Sequence, residues 1–370
     1  MKTKYGKPLR EYLICNANPV YLVNFEDSQI FQSAIVETNI LITQKSKWDK
    51  HLIATNVTKD FNNYQSLTDY TDRNGTALEN PDINGWVIGD KATLDLKRKI
   101  EAGSIPIKNL NLSINFGIKT GYNEAFIIDE ETKRRLCRED PKSINILKPL
   151  LRGRDTQKWY HNFANKWLIN SHNGIKIKGL RSINVVHDYP AIYEHLKKYQ
   201  KKLEERQDKG NHWTNLRNCA YLEDFDKEKI IWGELSDKPK FAYDAGRFYE
   251  EATLFIMTGG EIKYLLAILN SQLSAWYFNL ISTSSGMGTN RWKKYKIELF
   301  PIKNTSKSEQ QPFVDIVNKI LELNNNDDYS LNPHKQSEVR EYEKQIDKFV
   351  YELYRLTPEE VALVEKESQR

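Results

Sequence analysis

Two short loops constrain this chain more than any other feature: Gly117-Ile118-Lys119-Thr120-Gly121 and Arg152-Gly153-Arg154. Each interrupts apolar sequence. The first lies between Ile114-Asn115-Phe116 and Ala125-Phe126-Ile127-Ile128, and the second directly follows Leu147-Lys148-Pro149-Leu150-Leu151. Glycine permits positive φ and close approach of another group to the main chain. Strands that run into such pivots can turn sharply and present whatever flanks the pivot. Here the flanking side chains are Lys119, Arg152 and Arg154, cations of the kind that phosphate oxygens and guanine edges accept.

The predicted fold class is mixed α/β, and 370 residues suffice for two domains or one large domain with appendages. A hydrophobic content of 39% with 11% aromatics supports real cores. Lys and Arg exceed Asp and Glu by 55 to 50, an excess that favours a polyanionic partner only weakly. Cys15, Cys137 and Cys219 are odd in number and far apart, which argues against a disulfide framework or a zinc site and fits a reducing cytoplasm. The longest apolar runs, such as Tyr264 to Leu269, are too short to span a bilayer, and no apolar signal core follows the basic N-terminus. A cytoplasmic protein with no membrane partner is expected.

Along the chain, residues 1–45 read as two strands, Val20 to Phe25 and Ala34 to Ile42, which need another element to lean on. Residues 46–105 form a polar connecting region interrupted by a strand at Gly85-Trp86-Val87-Ile88 and a helix over Thr93 to Ala102. Residues 106–303 carry short aromatic-rich strands, at Ala125–Ile128, Lys166–Ile169, Lys229–Trp232, Phe241–Tyr243 and Thr253–Met257, with helices over Tyr189 to Leu203 and Glu261 to Ile281. Residues 304–370 are helical: apolar stripes run over Pro312–Leu323 and Ser337–Leu356, and Thr357-Pro358-Glu359-Glu360 reads as a helix start.

The candidate nucleic-acid contacts are Lys119, Thr120, Asn123, Arg152, Arg154, Arg291, Lys293 and Lys294. Lys119, Thr120 and Asn123 sit on a glycine-bounded loop that could touch phosphate or base edges, or that could simply be a tight turn whose Asn123 caps a strand. Arg152 and Arg154 would point to one side as a guanine reader or phosphate clamp, or would form a salt bridge to Asp155 or a neighbouring carboxylate. Arg291, Lys293 and Lys294 alternate with Trp292 and Tyr295 after the Ser282–Gly288 loop. The Lys197, Lys198, Lys201, Lys202, Arg206 face reads as a solvated helix side diluted by Glu194, Glu204 and Glu205. Glu261-Ile262-Lys263 has the acid-x-lysine spacing of metal nucleases but also reads as an ordinary helix start, and the seven histidines show no paired metal-ligand spacing. No catalytic, cofactor or metal residue is therefore assigned.

Four blocks in order resemble the TaqI-like C-terminal specificity domain of adenine-specific methyltransferases in restriction-modification systems. They are Phe116 to Ile128; Leu147 to Asp155 followed by Trp159; Leu216 to Phe225 running into Lys229 to Ser236; and Leu265 to Ser271 followed by Gly286, Arg291-Trp292-Lys293 and Leu299 to Ile302. The stretch Ile346 to Glu360 resembles the closing helices of the same enzymes, and Val20 to Ile42 resembles the last strands of their catalytic domain. The resemblance implies a target-recognition domain of short twisted strands and helices over 106–303. A C-terminal helical section follows, and the N-terminal piece is a remnant of a methyltransferase sheet. It also implies double-stranded DNA as partner and S-adenosylmethionine as cofactor of the complete enzyme. The glycine-rich cofactor loop and the Asn-Pro-Pro-Tyr type loop of the catalytic half are not found. Asn18-Pro19-Val20-Tyr21 comes near the latter, but too few residues precede it for a nucleotide-binding βαβ unit. The expected function is duplex DNA recognition. The alternatives are a split methyltransferase subunit that needs a separate catalytic partner, and an inactive truncated remnant.

Overall fold

The computed structural model describes residues 4–368 apart from 26–30, 32–37, 59–60, 62–65, 80, 82, 84, 283–289 and 325–328. Helix α1 (Lys7–Asn16) leads into strands β1 (Asn18–Asn24), β2 (Asn39–Gln44) and β3 (Leu52–Asn56), then helix α2 (Leu67–Asn74) and strand β4 (Thr76–Leu78). These strands form one sheet in the order β2-β1-β3-β4, with β1 and β3 parallel. The sheet thus continues past residue 45 into what reads in sequence as a connecting region. Ser66 caps α2 by accepting from the Asp69 amide. The expected helix over 93–102 is α3 (Lys91–Glu101), but Gly85–Ile88 is not a strand; Trp86 and Ile88 are buried without one. The expected strand segment Ala34–Val36 lies outside the described residues.

The middle of the chain builds two more four-stranded sheets. Its first elements are β5 (Ser104–Pro106), β6 (Ser113–Phe116), α4 (Asn123–Phe126), β7 (Ile127–Asp129), α5 (Glu130–Glu139), β8 (Leu147–Leu151) and β9 (Lys166–Ile169). Helices α6 (Val185–Asp188), α7 (Pro190–Lys197) and α8 (Gln200–Glu204) follow. Next come β10 (Lys229–Gly233), β11 (Leu235–Ser236), β12 (Ala242–Asp244), β13 (Tyr249–Glu250) and β14 (Leu254–Thr258). The central sheet is β12-β10-β14-β6, all antiparallel, and the outer sheet is β13-β8-β9-β7. The rest is α9 (Ile262–Leu269), α10 (Gln272–Ile281), β15 (Asn290–Arg291), α11 (Lys294–Ile297), β16 (Pro301–Lys303), α12 (Lys307–Asn324), α13 (Pro333–Leu353) and α14 (Pro358–Ser368).

The central sheet is buried on both faces, as the nearly unbroken apolar runs of β10 and β14 require. Alternation sends Ile230, Trp232, Phe255 and Met257 into the core shared with α9, α10 and the C-terminal helices. Ile231, Ala242, Leu254 and Ile256 go into the core shared with the outer sheet. Each large aliphatic or aromatic side chain among them contributes roughly 1.5–3 kcal/mol through burial, so these two strands join the outer-sheet lobe to the helical section.

Three sequence expectations need correction here. Ala125 and Phe126 lie in the single turn α4, not in a strand, and the strand begins only at Ile127. The expected helix over 261–281 is broken at Asn270, whose amide bonds both the N–H and the C=O of Phe241, and Ser271 then caps α10. The expected helix over 189–203 is likewise two pieces, α7 and α8, parted at Lys198 and Tyr199.

Candidate nucleic-acid interface

The strand register gathers the candidate loops at one end of the central sheet. β10 finishes at Gly233, opposite Leu254 where β14 begins, and Phe255 pairs with Phe116 where β6 finishes. The loop after β6, the segment after β10 and the segment before β14 therefore emerge together.

The first loop is seated on the segment before β14. Gly117 N–H donates to Leu254 C=O at 2.8 Å, and Ile118 N–H donates to Glu250 C=O at 2.6 Å. A methyl group at Gly117 would collide with the carbonyls of Glu250 and Glu251, so the pivot is needed for close approach. Gly121 has φ +78°, the left-handed region that favours glycine. Thr120 is buried, donating to Asn123 Oδ1 at 2.6 Å and accepting from Tyr122 N–H, so its hydroxyl closes the turn and is turned away from solvent. Asn123 is exposed and donates to Glu251 Oε1 at 2.7 Å. Lys119 is exposed, and its ammonium lies 5.1 Å from the ring centre of the exposed Phe116.

The second loop docks on the same segment. Glu251 N–H donates to Leu151 C=O at 2.8 Å, and Gly153 N–H donates to Thr253 Oγ1 at 3.3 Å. The two arginines do not point to one side. Arg152 folds back into a bidentate pair with Asp155, Nε and Nη2 each at 3.0 Å, because the single 3₁₀ turn after it returns Asp155 beneath it. That carboxylate raises the Arg152 pKa above its ordinary value. Arg154 is exposed and forms no ion pair among the described residues.

The third element is the two-stranded ribbon of β11 and β15, in which Leu235 pairs with Arg291. Trp292 anchors it, buried and stacked 3.8 Å from Phe278, with its indole N–H on Ser236 C=O. Arg291 and Lys293 stay partly exposed on either side of Glu234, at 3.5 and 3.8 Å. Lys294 instead donates to Ile114 C=O at 2.6 Å, clamping the ribbon to β6. The Ser282–Gly288 loop lies outside the described residues beyond Ser282.

Two roles were missed in the sequence. Arg206, expected on a solvated face, turns inward and donates to the carbonyls of Thr120, Trp213 and Asn215. Burial, helped by Arg217, pulls its pKa down to about 10. Glu251 is the hub that both glycine loops share. No local pattern marks the contacts that matter here, since Arg206 meets Thr120 and Glu251 meets Asn123 across long sequence separations.

Residues 148–302 match the model of the TaqI-like C-terminal specificity domain. The centre of the chain is thus similar to that specificity domain. The Gly117 loop precedes the matched residues and is held to that matched region through Glu250, Glu251 and Leu254. The type II methyltransferase M.BstVI of Geobacillus stearothermophilus is 19% identical over 393 residues, covering 98% of this chain and 64% of that protein. The DNA complex of the type IIL restriction-modification enzyme MmeI superposes with a TM-score of 0.58 at 14% identity, covering 98% of this chain and 47% of that one. The likeness to MmeI is one of fold, and the chain spans less than two thirds of either protein. Among the described residues no helix is long and apolar enough to cross a membrane, and no group of three His, Cys, Asp or Glu side chains could hold a metal ion.

Proposed function

We propose that this chain recognises duplex DNA sequence-specifically, as the specificity part of an adenine-specific methyltransferase or a fused restriction-modification enzyme. The observation that carries the reading is the convergence of three sequence-distant cationic loops on one end of the central sheet, with Lys119 and Arg154 exposed and free of carboxylate partners among the described residues. Lys119, Arg154, Arg291 and Lys293 are the groups that reach the duplex. Thr120, Arg152 and Lys294 hold the loops that present them, and Asn123 braces the first loop through Glu251. Methyl transfer to an adenine needs the base out of the stack. A domain that grips the flanking duplex fixes which adenine is presented. S-adenosylmethionine is proposed for the complete enzyme, bound by residues other than these.

Selection from a pool of random duplexes at low and moderate salt, followed by sequencing, tests the proposal. One short enriched site containing an adenine is the expected result, and no retention at either salt would overturn it. With that site in hand, Arg154→Ala should bind several-fold more weakly with unchanged stability. A loss confined to the selected site marks base reading, and an equal loss on all duplexes marks a phosphate contact.

A second reading has its own observation. β2 has no further strand beside it among the described residues, and Ile40 and Ile42 on it, with Leu9 and Tyr12 on α1, are exposed. Such a surface suits a partner that extends the sheet, as a separate catalytic subunit would. Methyl transfer by a mixture of the two, and by neither alone, would establish it.

A further inference from the structure

A cleft of about 830 Å3 opens beside the Lys229–Asp244 end of the central sheet, away from the Gly233 end that carries the cationic loops. It lies between the segment following Trp159, the segment following β12, and the end of α12. Its volume is that of a small-molecule site. We propose that it binds a purine nucleotide, with adenine the best-fitting base.

Three features of the lining support this. The first is unmet hydrogen bonding. Asn324 is about nine-tenths buried, and among the described residues neither its amide nitrogen nor its amide oxygen has a partner; His161 Nδ1 is also buried without one there. Buried polar atoms normally find partners. An amide with donor and acceptor both free matches the adjacent donor and acceptor on an adenine edge. Burial holds the His161 pKa below its ordinary value, so the imidazole is neutral and can offer one more hydrogen bond without competing charge.

The second feature is aromatic walls. Tyr160, Phe163, Tyr243, Phe248 and Tyr329 line the cleft. Tyr160 packs edge-on to Tyr329 at 5.1 Å, and Phe248 packs against His161 at 4.6 Å. Such surfaces stack planar bases. The third is cations without carboxylate partners. Arg247 is exposed and forms no ion pair among the described residues, while Lys263 donates to Asn318 Oδ1 at 2.7 Å and lies over the Tyr243 ring. Both suit a phosphate at the mouth of the cleft.

The backbone fixes this wall. Trp159 holds φ +76° and Asn165 φ +51°, and Trp159 is clamped by bonds to Phe241 C=O and to Glu343 Oε1. A bulky residue with positive φ persists only where its surroundings enforce it.

A nucleotide could arrive free or as an unpaired residue of a strand. Titration of the full chain with 5′-AMP, with ribose 5-phosphate, and with a short single strand bearing one adenine or an abasic position separates these sources. The expected result is a Kd below about 1 mM for AMP or for the adenine strand, and at least tenfold weaker binding of ribose 5-phosphate or the abasic strand. Saturation by AMP assigns a free nucleotide; saturation by the strand alone assigns an unpaired base. Asn324→Leu and Arg247→Ala should each weaken binding several-fold in a folded chain. Equal binding of ribose 5-phosphate and AMP, unchanged affinity in Asn324→Leu, or no saturation by any probe would overturn the assignment. Arg154→Ala should leave this binding intact, which separates it from the duplex-recognition reading.

Discussion

Arg154 and Lys229 are cations of the same lobe in opposite settings. Arg154 stands exposed on a glycine pivot without an ion pair among the described residues. Lys229 is fully buried between the central and outer sheets. Its ammonium lies 2.6 Å from Asp244 Oδ2 and 3.5 Å from Glu250 Oε1, and it donates to the carbonyls of Phe225 and Phe248. The neighbours Glu250 and Glu251 connect the two layers. Extended backbone points successive side chains to opposite sides, so Glu250 faces Lys229 while Glu251 faces the loop residue Asn123. The comparison teaches that charge here serves two ends. Neutralised charge beneath fixes the platform, and the charge above stays exposed to solvent, as the proposed duplex contact requires.

Breaking the lower layer should have the largest effect. Lys229→Met would leave Asp244 and Glu250 buried together without a counter-charge, which costs about 3–5 kcal/mol when one partner of a buried pair is lost. Urea unfolding measures it. A loss under about 1 kcal/mol would show that the platform does not depend on the ion cluster.

Arg152 and Arg154 sharpen the contrast within three residues. They flank Gly153 symmetrically in sequence, yet one is a brace and the other a free cation. Arg152→Ala removes a bidentate partner from Asp155, which is 5% exposed, and should cost roughly 1.5–3 kcal/mol. Arg154→Ala should leave the unfolding midpoint unchanged. If both variants were equally stable, the exposed-versus-clamped distinction would fail.

The same pair shows how far the sequence could be read. The spacing of Asp155 from Arg152 made a salt bridge readable as an alternative, but only the 3₁₀ turn decides in its favour. The strands β9, β10 and β14 were legible from apolar, β-branched and aromatic runs, and α13 from its apolar stripe. Ala125-Phe126-Ile127-Ile128 misled, because a short apolar run fits a buried helical turn as well as a strand. The gathering of the loops at one sheet end follows from register, which pairs Phe116 with Phe255 and Gly233 with Leu254 across long separations. No local signal carries that information.

The most graded test of the lower layer is its pH dependence. Glu250 is fully buried, and burial raises its pKa well above its ordinary value despite Lys229, whose ammonium lies 3.5 Å from Oε1. The folded chain therefore holds a proton on Glu250 at pH values where the unfolded chain has released it. A raised folded-state pKa contributes stability that is complete below the unfolded value and is lost as pH rises toward the folded one. Stability should accordingly fall by up to about 1.4 kcal/mol per pH unit from this group above roughly pH 4.3. Glu250→Gln keeps the shape without the titration, so its unfolding midpoint should fall less steeply over the same range. Parallel profiles for the two proteins would mean that Glu250 is ionised in the fold, with Lys229 sustaining two carboxylates at once.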